Sequence, residues 1–480
     1  MQRTLVIQTK TMIGKIVRIC GWVNTKRDHG QVVFLDIRDR TGLLQVVCRL
    51  DNNEEIFNKV AQLKIESTIE VIGIIKERPS KMRNMKIETG GLELELQQIT
   101  IFSISQELPF QISSDTSNID EEKRLKYRYL DLRTSEMQKS IRIRHKVIKF
   151  IRDFMDKQDF IEIETPMLTK STPEGARDFV VPSRFHRDKF YALPQSPQQY
   201  KQLLMVAGIE RYFQIAKCLR DEDTRADRQP EFTQLDIEMA FVSQDDILNL
   251  IEELYLNLIK EIFPEKKITT IPFPRLKHEQ AIKQYKSDDP DIRKNKSDPN
   301  ELGFCWIIDF PLFTKQTKQD FFYGVGEKIA PSHHMFTSPK EEDIKMLDKE
   351  PLKVRAEQYD LILNGEEIGG GSIRIHDPKV QEKIFKLIGF RQKQKEQFSH
   401  LFSAFKYGVP PHGGIAFGID RFLAIILNKI NIREVIAFPK TGDGRCPMIN
   451  APCEITKEQK KELNIKINRK KISKKTKIYE

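Results

Sequence analysis

Between Arg211 and Ala240 the chain reads RYFQIAKCLRDEDTRADRQPEFTQLDIEMA. Two apolar alternations there enclose Arg220, Asp221, Glu222, Asp223, Arg225, Asp227 and Arg228. Four acids and three arginines so close together suit a site that handles a polyanion, its metal ions and a cationic amine at once. By itself such a charge run is an ordinary solvated loop. Yet a plain hairpin would turn on Gly or Asn, and this loop has neither. A second grouping is YDLILNGEEIGGGSIRIHD (359–377). Asn364-Gly365 signals a type I′ turn that pairs Leu363 with Glu366 and Ile362 with Glu367. Asp360 then lies diagonally across from Glu367, close enough to share a cation such as Mg²⁺, which phosphates would hold on its other side. A third is GGIAFGIDRFLAIIL (413–427), a strand of small residues that leaves a flat floor for a purine and turns helical at Asp420-Arg421. The paired histidines of SHHMFTSP (332–339) lack further ligands at zinc spacing.

These groups need a frame. Arg211–Ala240 reads as strand, loop, strand. From Ile141 a helix is written by Ile143, Val147, Ile148, Ile151, Phe154 and Met155; it runs into a strand, Phe160–Glu164, that stops at Pro166. A second amphipathic helix spans residues 244–264. STPEGARDF (171–179) is a loop with an isolated Glu174, and LPQSPQQYKQLLM (193–205) joins a turn to a helix with Lys201 near its start. Residues 1–104 carry five strand-like runs, Ile16–Val23, Val32–Ile37, Leu43–Cys48, Thr68–Ile74 and Leu92–Ile101, with a helical pattern Ile56, Val60, Leu63 after the third. That is the layout of an OB-fold, a barrel that reads nucleic acid. Val33, Leu35 and Ile37 take one face of their strand and Phe34, Asp36 and Arg38 the other. Phe34 is therefore either a base-stacking platform or a half-buried edge aromatic.

At 480 residues there is room for two or three domains. Hydrophobic content of 39% and charged content of 31% fit a globular chain, and no apolar run is long enough for a membrane span. The N-terminus MQRTLVIQTK fits neither a signal nor a transit peptide. Six scattered cysteines without a C-x-x-C pair argue against a disulfide framework or zinc ribbon, so a reducing cytoplasm is expected. The net charge, 80 − 69 = +11, favours a polyanionic partner but equally fits a compositional bias.

The pattern R-D-E-D…R-x-x-R-Q-P-E-F-T-Q-x-D-x-E resembles motif 2 of the class II aminoacyl-tRNA synthetases, in the form found in bacterial aspartyl enzymes. GGIAFGIDRF resembles motif 3, and the helix, strand and Pro166 resemble the dimer-forming motif 1. LKYRYLDLR resembles the hinge before the catalytic domain, and GWVNTKRDHG…FLDIRDRTGLLQVV the anticodon-binding domain. The fold so implied is α+β: an N-terminal OB-fold barrel (1–104), a hinge (105–138) and a class II catalytic domain (139–465) with an antiparallel sheet flanked by helices. A lysine-dense tail (466–480) follows. Bacterial relatives usually carry a further domain of about a hundred residues, where this chain has about a dozen polar residues near 294–303.

The resemblance also implies roles. L-aspartate would attack the α-phosphorus of ATP, and the adenylate would pass to the 3′ end of tRNA-Asp, with tRNA-Asn left open as a second acceptor. Arg220, Glu367 and Arg421 would be catalytic, and Asp360 and Glu367 would hold Mg²⁺. Asp221, Glu222, Gln229, Gly418, Ile419 and Asp420 would join Arg220 and Arg421 on the nucleotide. Lys201 and Arg374 would clamp the aspartate side chain, with Glu174, Ser196, Gln198 and Asp236 near its ammonium and His333 in the pocket. The family has a proline where this chain has Met335. A regular ladder puts Arg374 opposite Glu367, so a shared site requires a bulge within Gly369–Gly371. On the tRNA, Phe34 would stack and Arg27, Gln45 and Glu93 would read base edges. His29 matches relatives with relaxed anticodon choice, whereas Lys81 matches strict ones. A homodimer with no membrane association is implied. Two alternatives stand. An asparaginyl- or lysyl-type enzyme is opposed by the cationic Lys201 and Arg374; a noncatalytic RNA-binding relative is opposed by intact Arg220, Glu367 and Arg421.

Overall fold

The computed structural model describes residues 1–112, 116, 118–171, 176–222, 227–315 and 329–466. The chain forms two compact units, Met1–Ile119 and Asp120–Glu480. The first is a closed five-stranded barrel of β1 (Ile16–Asp28), β2 (Val32–Asp39), β3 (Gly42–Arg49), β4 (Thr68–Glu77) and β5 (Leu92–Ser103), in the order β1-β2-β3-β5-β4. Strict alternation drives it: Val17, Ile19, Val33, Leu35, Ile37, Val46, Ile69 and Val71 all point inward and are buried. Helix α1 (Glu54–Ala61) starts at Asn53, whose side chain accepts from Ile56 N, and adds Phe57 and Val60 to the barrel core. All five expected strands and the helix after the third are present.

The second unit is built on an eight-stranded sheet. In chain order its members are β6 (Ile161–Glu162), β9 (Arg211–Leu219), β10 (Glu231–Ala240), β11 (Arg275–Lys277), β12 (Phe304–Ile308), β13 (Gln358–Leu363), β14 (Glu366–Ile373) and β15 (His412–Gly418). In space they run β11-β12-β13-β14-β15-β10-β9-β6. The centre is antiparallel as expected, while each edge strand, β11 and β6, pairs parallel with its neighbour. A separate small hairpin, β7 (Val180–Pro182) and β8 (Phe190–Ala192), precedes α3 (Gln198–Val206).

One face of the sheet is apolar. Leu235, Ile237 and Met239 of β10, Ile415 and Phe417 of β15, and Tyr359, Leu361 and Leu363 of β13 share a core with α2 (Ser135–Lys157) and α4 (Gln244–Ile262). Helix α2 begins earlier than its apolar periodicity at Ile141. Thr134 caps it, accepting from Met137 N at 3.3 Å, and a cap can start a helix ahead of the first core residue. With one face spent on the core, the polar residues of every second position emerge together on the other.

Candidate active site

Strand register assembles that second face. One row runs Asp360, Gly370, Ala416, Asp236, Gln214, and the next Gln358, Ser372, Gly414, Glu238, Tyr212. Small residues in β14 and β15 form a floor between acids on β13 and acids on β10. Glycine is obligatory at 414, where a Cβ would lie 2.0 Å from Glu238 Oε2.

Two buried cations converge on one carboxylate. Lys201 Nζ lies 2.7 Å from Asp236 Oδ1 and 3.2 Å from Glu238 Oε2. Arg374 grips Glu238 with two bonds, Nε to Oε1 at 2.9 Å and Nη2 to Oε2 at 3.1 Å, and donates from Nη1 to Ser372 Oγ at 2.6 Å and His334 Nε2 at 2.5 Å. Burial pushes Glu238 up, but Arg374 and Lys201 outweigh it and hold the carboxyl at about 2. Burial lifts Asp236 above the usual carboxylate range even beside Lys201. Among the described residues Asp236 Oδ2 has no hydrogen-bond donor, the single proton of the nearby Tyr212 hydroxyl going to Gln214 Oε1 at 2.9 Å. This orphaned acceptor suits a cationic amine. His333 stacks at 4.4 Å on His334. Burial, then Arg374, Lys201 and Arg220, push it down to about 3, so it stays neutral at pH 7, and among the described residues its Nδ1 has no partner.

The acid pair lies on the same face. Asn364 and Gly365 both adopt positive φ, and the hairpin pairs Leu363 with Glu366 and Ile362 with Glu367, as the turn signal required. The expected bulge is one residue earlier than the glycines. Register shifts between Leu361 and Ile362, opposite Ile368, while Gly369, Gly370 and Gly371 pair regularly on both sides. The physical effect is the one needed, since one extra residue reverses parity and brings Glu367 onto the face of Gly370, Ser372 and Arg374. A Cβ at Gly370 would lie 2.7 Å from Asp360 Oδ1 and 3.2 Å from Glu367 Oε1. Burial, with Glu367 next, drives the Asp360 carboxyl well above its ordinary range. Two hard carboxylates around a vacant Cβ position, one of them short of counter-charge, fit Mg²⁺ whose remaining ligands are phosphate and water. Among the described residues no group of three or more His, Cys, Asp or Glu is arranged as a protein-only metal site.

Beside the acids is a cavity of about 220 Å³ lined by Arg220, Glu222, Gln229, Phe232, Glu367, Gly418, Asp420 and Arg421, among others. The Arg220 guanidinium lies 5.1 Å over the Phe232 ring, with Nε donating to Gln195 O at 3.4 Å. Arg421 donates to Glu367 O at 2.5 Å and Asp227 Oδ2 at 3.1 Å. Several expected nucleotide contacts also bond to other parts of the protein. Gln229 closes both ends of its amide on the Lys440 backbone, at 2.7 and 3.1 Å. The Asp420 carboxylate accepts from Thr233 N at 2.8 Å and from Arg144 of α2, which fixes α5 (Ile419–Ile426) against β10. The Ile419 side chain is buried in the core, and Asp221 pairs its backbone with Arg177 outside the cavity. Gln198 donates to Gln202, which meets His412. Glu174 lies outside the described residues, as does nearly all of the lysine-dense tail.

In the barrel, Arg27 spans Asp36 at 3.2 Å and Gln45 Oε1 at 3.2 Å, and Gln45 Nε2 donates to Glu93 at 3.0 Å. Arg27 also lies 6.0 Å over Phe34, and His29 meets that ring edge-on at 5.7 Å. Arg27, His29, Phe34, Gln45 and Glu93 therefore form one patch with Asp36, whereas Lys81 lies on an exposed turn, Ser80–Met82. Sequence reasoning missed Arg78, which donates to Gln45 Oε1 at 2.8 Å. It also missed Glu238, Ser372 and His334. The alternation that singled out Asp236 already set Glu238 on the same face; the signal was there.

Comparison with known proteins gives the family. The family model for tRNA synthetases class II (D, K and N) matches residues 120–442, and that for an OB-fold nucleic acid binding domain matches residues 17–102. The aspartate–tRNA(Asp/Asn) ligase of Thermoanaerobacter sp. (strain X514) is 41% identical over 581 positions, covering 95% of this chain and 96% of its own. The aspartate–tRNA ligase of Staphylococcus haemolyticus (strain JCSC1435) is 37% identical, with 96% and 98% covered. The first alignment leaves at least 581 − 480 = 101 positions without a residue here, in line with a missing inserted domain. Among solved structures, the asparaginyl-tRNA synthetase from Pyrococcus horikoshii with asparaginyl-adenylate shares the fold at TM-score 0.73 and 23% identity, over 92% of this chain and 98% of that one. The aspartyl-tRNA synthetase from Entamoeba histolytica does so at 0.71 and 23%, over 91% of each. The chain belongs to the class II tRNA synthetases of the D, K and N group, with an OB-fold nucleic-acid-binding domain ahead of the catalytic one.

Proposed function

We propose that this chain is an aspartate–tRNA ligase, which activates L-aspartate with ATP and transfers it to the 3′ end of tRNA-Asp. The observation that carries this reading is the pair Lys201 and Arg374 brought together on the buried carboxylate of Glu238. A substrate side-chain carboxylate would bind these two cations, while the neutral amide of asparagine would leave them under-compensated, which can cost several kcal/mol. The substrate ammonium would dock on Asp236 Oδ2, with Ser196 nearby. An α-carboxylate oxygen then attacks the α-phosphorus of ATP and pyrophosphate leaves. Arg220 bridges the reacting carboxylate and α-phosphate, Arg421 pairs with the nucleotide phosphates, and Phe232 backs the adenine side of Arg220. Mg²⁺ on Asp360 and Glu367, when bound, neutralises charge on the phosphates. No protein nucleophile is needed, because in-line transfer asks for positioning and charge neutralisation. In the second step the terminal ribose hydroxyl of tRNA attacks the adenylate carbonyl and AMP leaves.

The barrel patch of Phe34, His29, Arg27, Gln45 and Glu93 would take the anticodon by stacking and base-edge hydrogen bonds. A second acceptor, tRNA-Asn, is favoured by His29 packing directly on Phe34 while Lys81 stands apart on its turn. The chain would act as a homodimer: edge strand β6 leaves Ile161 52% exposed, a surface that a second copy would cover. No helix among the described residues is long and apolar enough to cross a membrane. Aminoacylation of purified tRNA-Asp and tRNA-Asn with aspartate and with asparagine tests these readings. Aspartate should charge tRNA-Asp; charging by asparagine alone would overturn the assignment.

A further inference from the structure

Residues 432–440 close one side of the nucleotide cavity. Ile432 lines it, and the Lys440 backbone holds both ends of the Gln229 amide. The stretch joins no sheet, and its one regular piece is the short turn Ile432–Glu434. Something else must fix its shape, because exposed loop backbone by itself does not hold a pocket wall.

Two arginines from the start of the same unit supply that hold. Arg128, only 3% exposed, donates from Nε to Ala437 O at 2.9 Å and from Nη2 to Arg433 O and Ile436 O, both at 2.7 Å. Its Nη1 is spent on the fully buried Asp131. Arg144 of α2 donates from Nη1 to Val435 O at 3.3 Å and, with the same nitrogen, to Asp420 Oδ1. Four carbonyls of residues 433–437 and the acid next to Arg421 are thus pinned by two planar forks. A guanidinium sets several acceptors at fixed positions relative to one another, which an ammonium cannot do. Among the described residues that line the cavity neither arginine appears. The aspartate pocket is built separately, with Lys201 and Arg374 held by Asp236, Glu238, Ser372 and His334.

Resting on the ligase reading for its substrates, we infer that Arg128 and Arg144 are positioning residues for ATP. From outside the cavity they hold Ile432, Gln229 and, through Asp420, Arg421 where the nucleotide meets them. Aspartate binding does not pass through them.

The test uses the full chain with Arg144→Ala, Arg144→Lys, Asp420→Asn and the double variant Arg144→Ala/Asp420→Asn. Exchange between ATP and pyrophosphate gives the KM of each substrate, and calorimetric titration with MgATP alone gives nucleotide binding. Arg144→Ala should raise the ATP KM about tenfold or more and leave the aspartate KM within about twofold. Arg144→Lys keeps the charge beside Asp420 without the fork, and should fall between parent and alanine variant, at about threefold. It decides the matter if the alanine variant fails to fold. The double variant should be no worse for ATP than the poorer single one, because both changes cut the same link. An unchanged ATP KM in the lysine variant, an equal rise for both substrates, or fully additive losses would overturn the proposal. A parent that binds MgATP but shows no aspartate-dependent exchange would refute the ligase reading instead; weaker MgATP binding by the variants would still support the clamp, and unchanged binding would end it.

Discussion

Replacing Glu238 by Gln removes the one charge that both buried cations share while keeping the side chain's shape. A glutamate free of such partners titrates near 4.5, whereas Arg374 and Lys201 outweigh burial here and hold Glu238 at about 2. At 1.36 kcal/mol per tenfold change in proton affinity, the difference is worth about 3 kcal/mol, matching the usual cost of breaking a buried pair from one side. The folded-state value is the lower one, so the contribution is complete above about pH 4.5 and is lost as pH falls toward 2. For a unit as long as Asp120–Glu480, at about 2.1 cal/mol/K per residue, a loss of about 3 kcal/mol lowers the melting temperature by about 4 °C. Calorimetric melting of the parent and Glu238→Gln should show that gap at pH 7 and a narrowing gap as pH is lowered below about 4.5. Saturating aspartate should stabilise the variant more than the parent, because the substrate carboxylate restores charge between Lys201 and Arg374. Equal melting temperatures at pH 7, or a gap that ignores pH, would refute the reasoning.

Gly370→Ala would push a methyl group to 2.7 Å from Asp360 Oδ1 and 3.2 Å from Glu367 Oε1. The Mg²⁺ concentration for half-maximal exchange should rise about tenfold with the aspartate KM unchanged, and a magnesium titration checks it. Phe34→Ala should weaken tRNA binding by about 1–3 kcal/mol in a filter-binding assay and leave exchange untouched.

Much of this arrangement could be read before any coordinates, and the failures have definite causes. Asn364-Gly365 fixed both the turn and the pairing of Glu367, because a two-residue loop admits one register. The barrel strands followed from period-two alternation ending at Gly and polar turns. The bulge was deduced from parity alone, and parity says that an extra residue exists without saying which one; it fell at Ile368 because the three glycines pair regularly on both sides. The start of α2 was misplaced because capping by Thr134 begins a helix where apolar spacing gives no sign. Gln229 and Asp420 both line the cavity, but local sequence carries no sign that their side chains also hold the Lys440 backbone and Arg144, hundreds of residues away in the chain. Glu238 was overlooked because an acid beneath two cations contributes to the pocket without facing the substrate.

The account stands on the claim that Arg374, oriented by Glu238, reads the substrate's side-chain carboxylate. ATP–pyrophosphate exchange with aspartate, in the parent and in Arg374→Leu, measures that directly. The parent should exchange with aspartate and not with asparagine, and the variant should lose aspartate-dependent exchange altogether. Near-normal exchange by Arg374→Leu would contradict it.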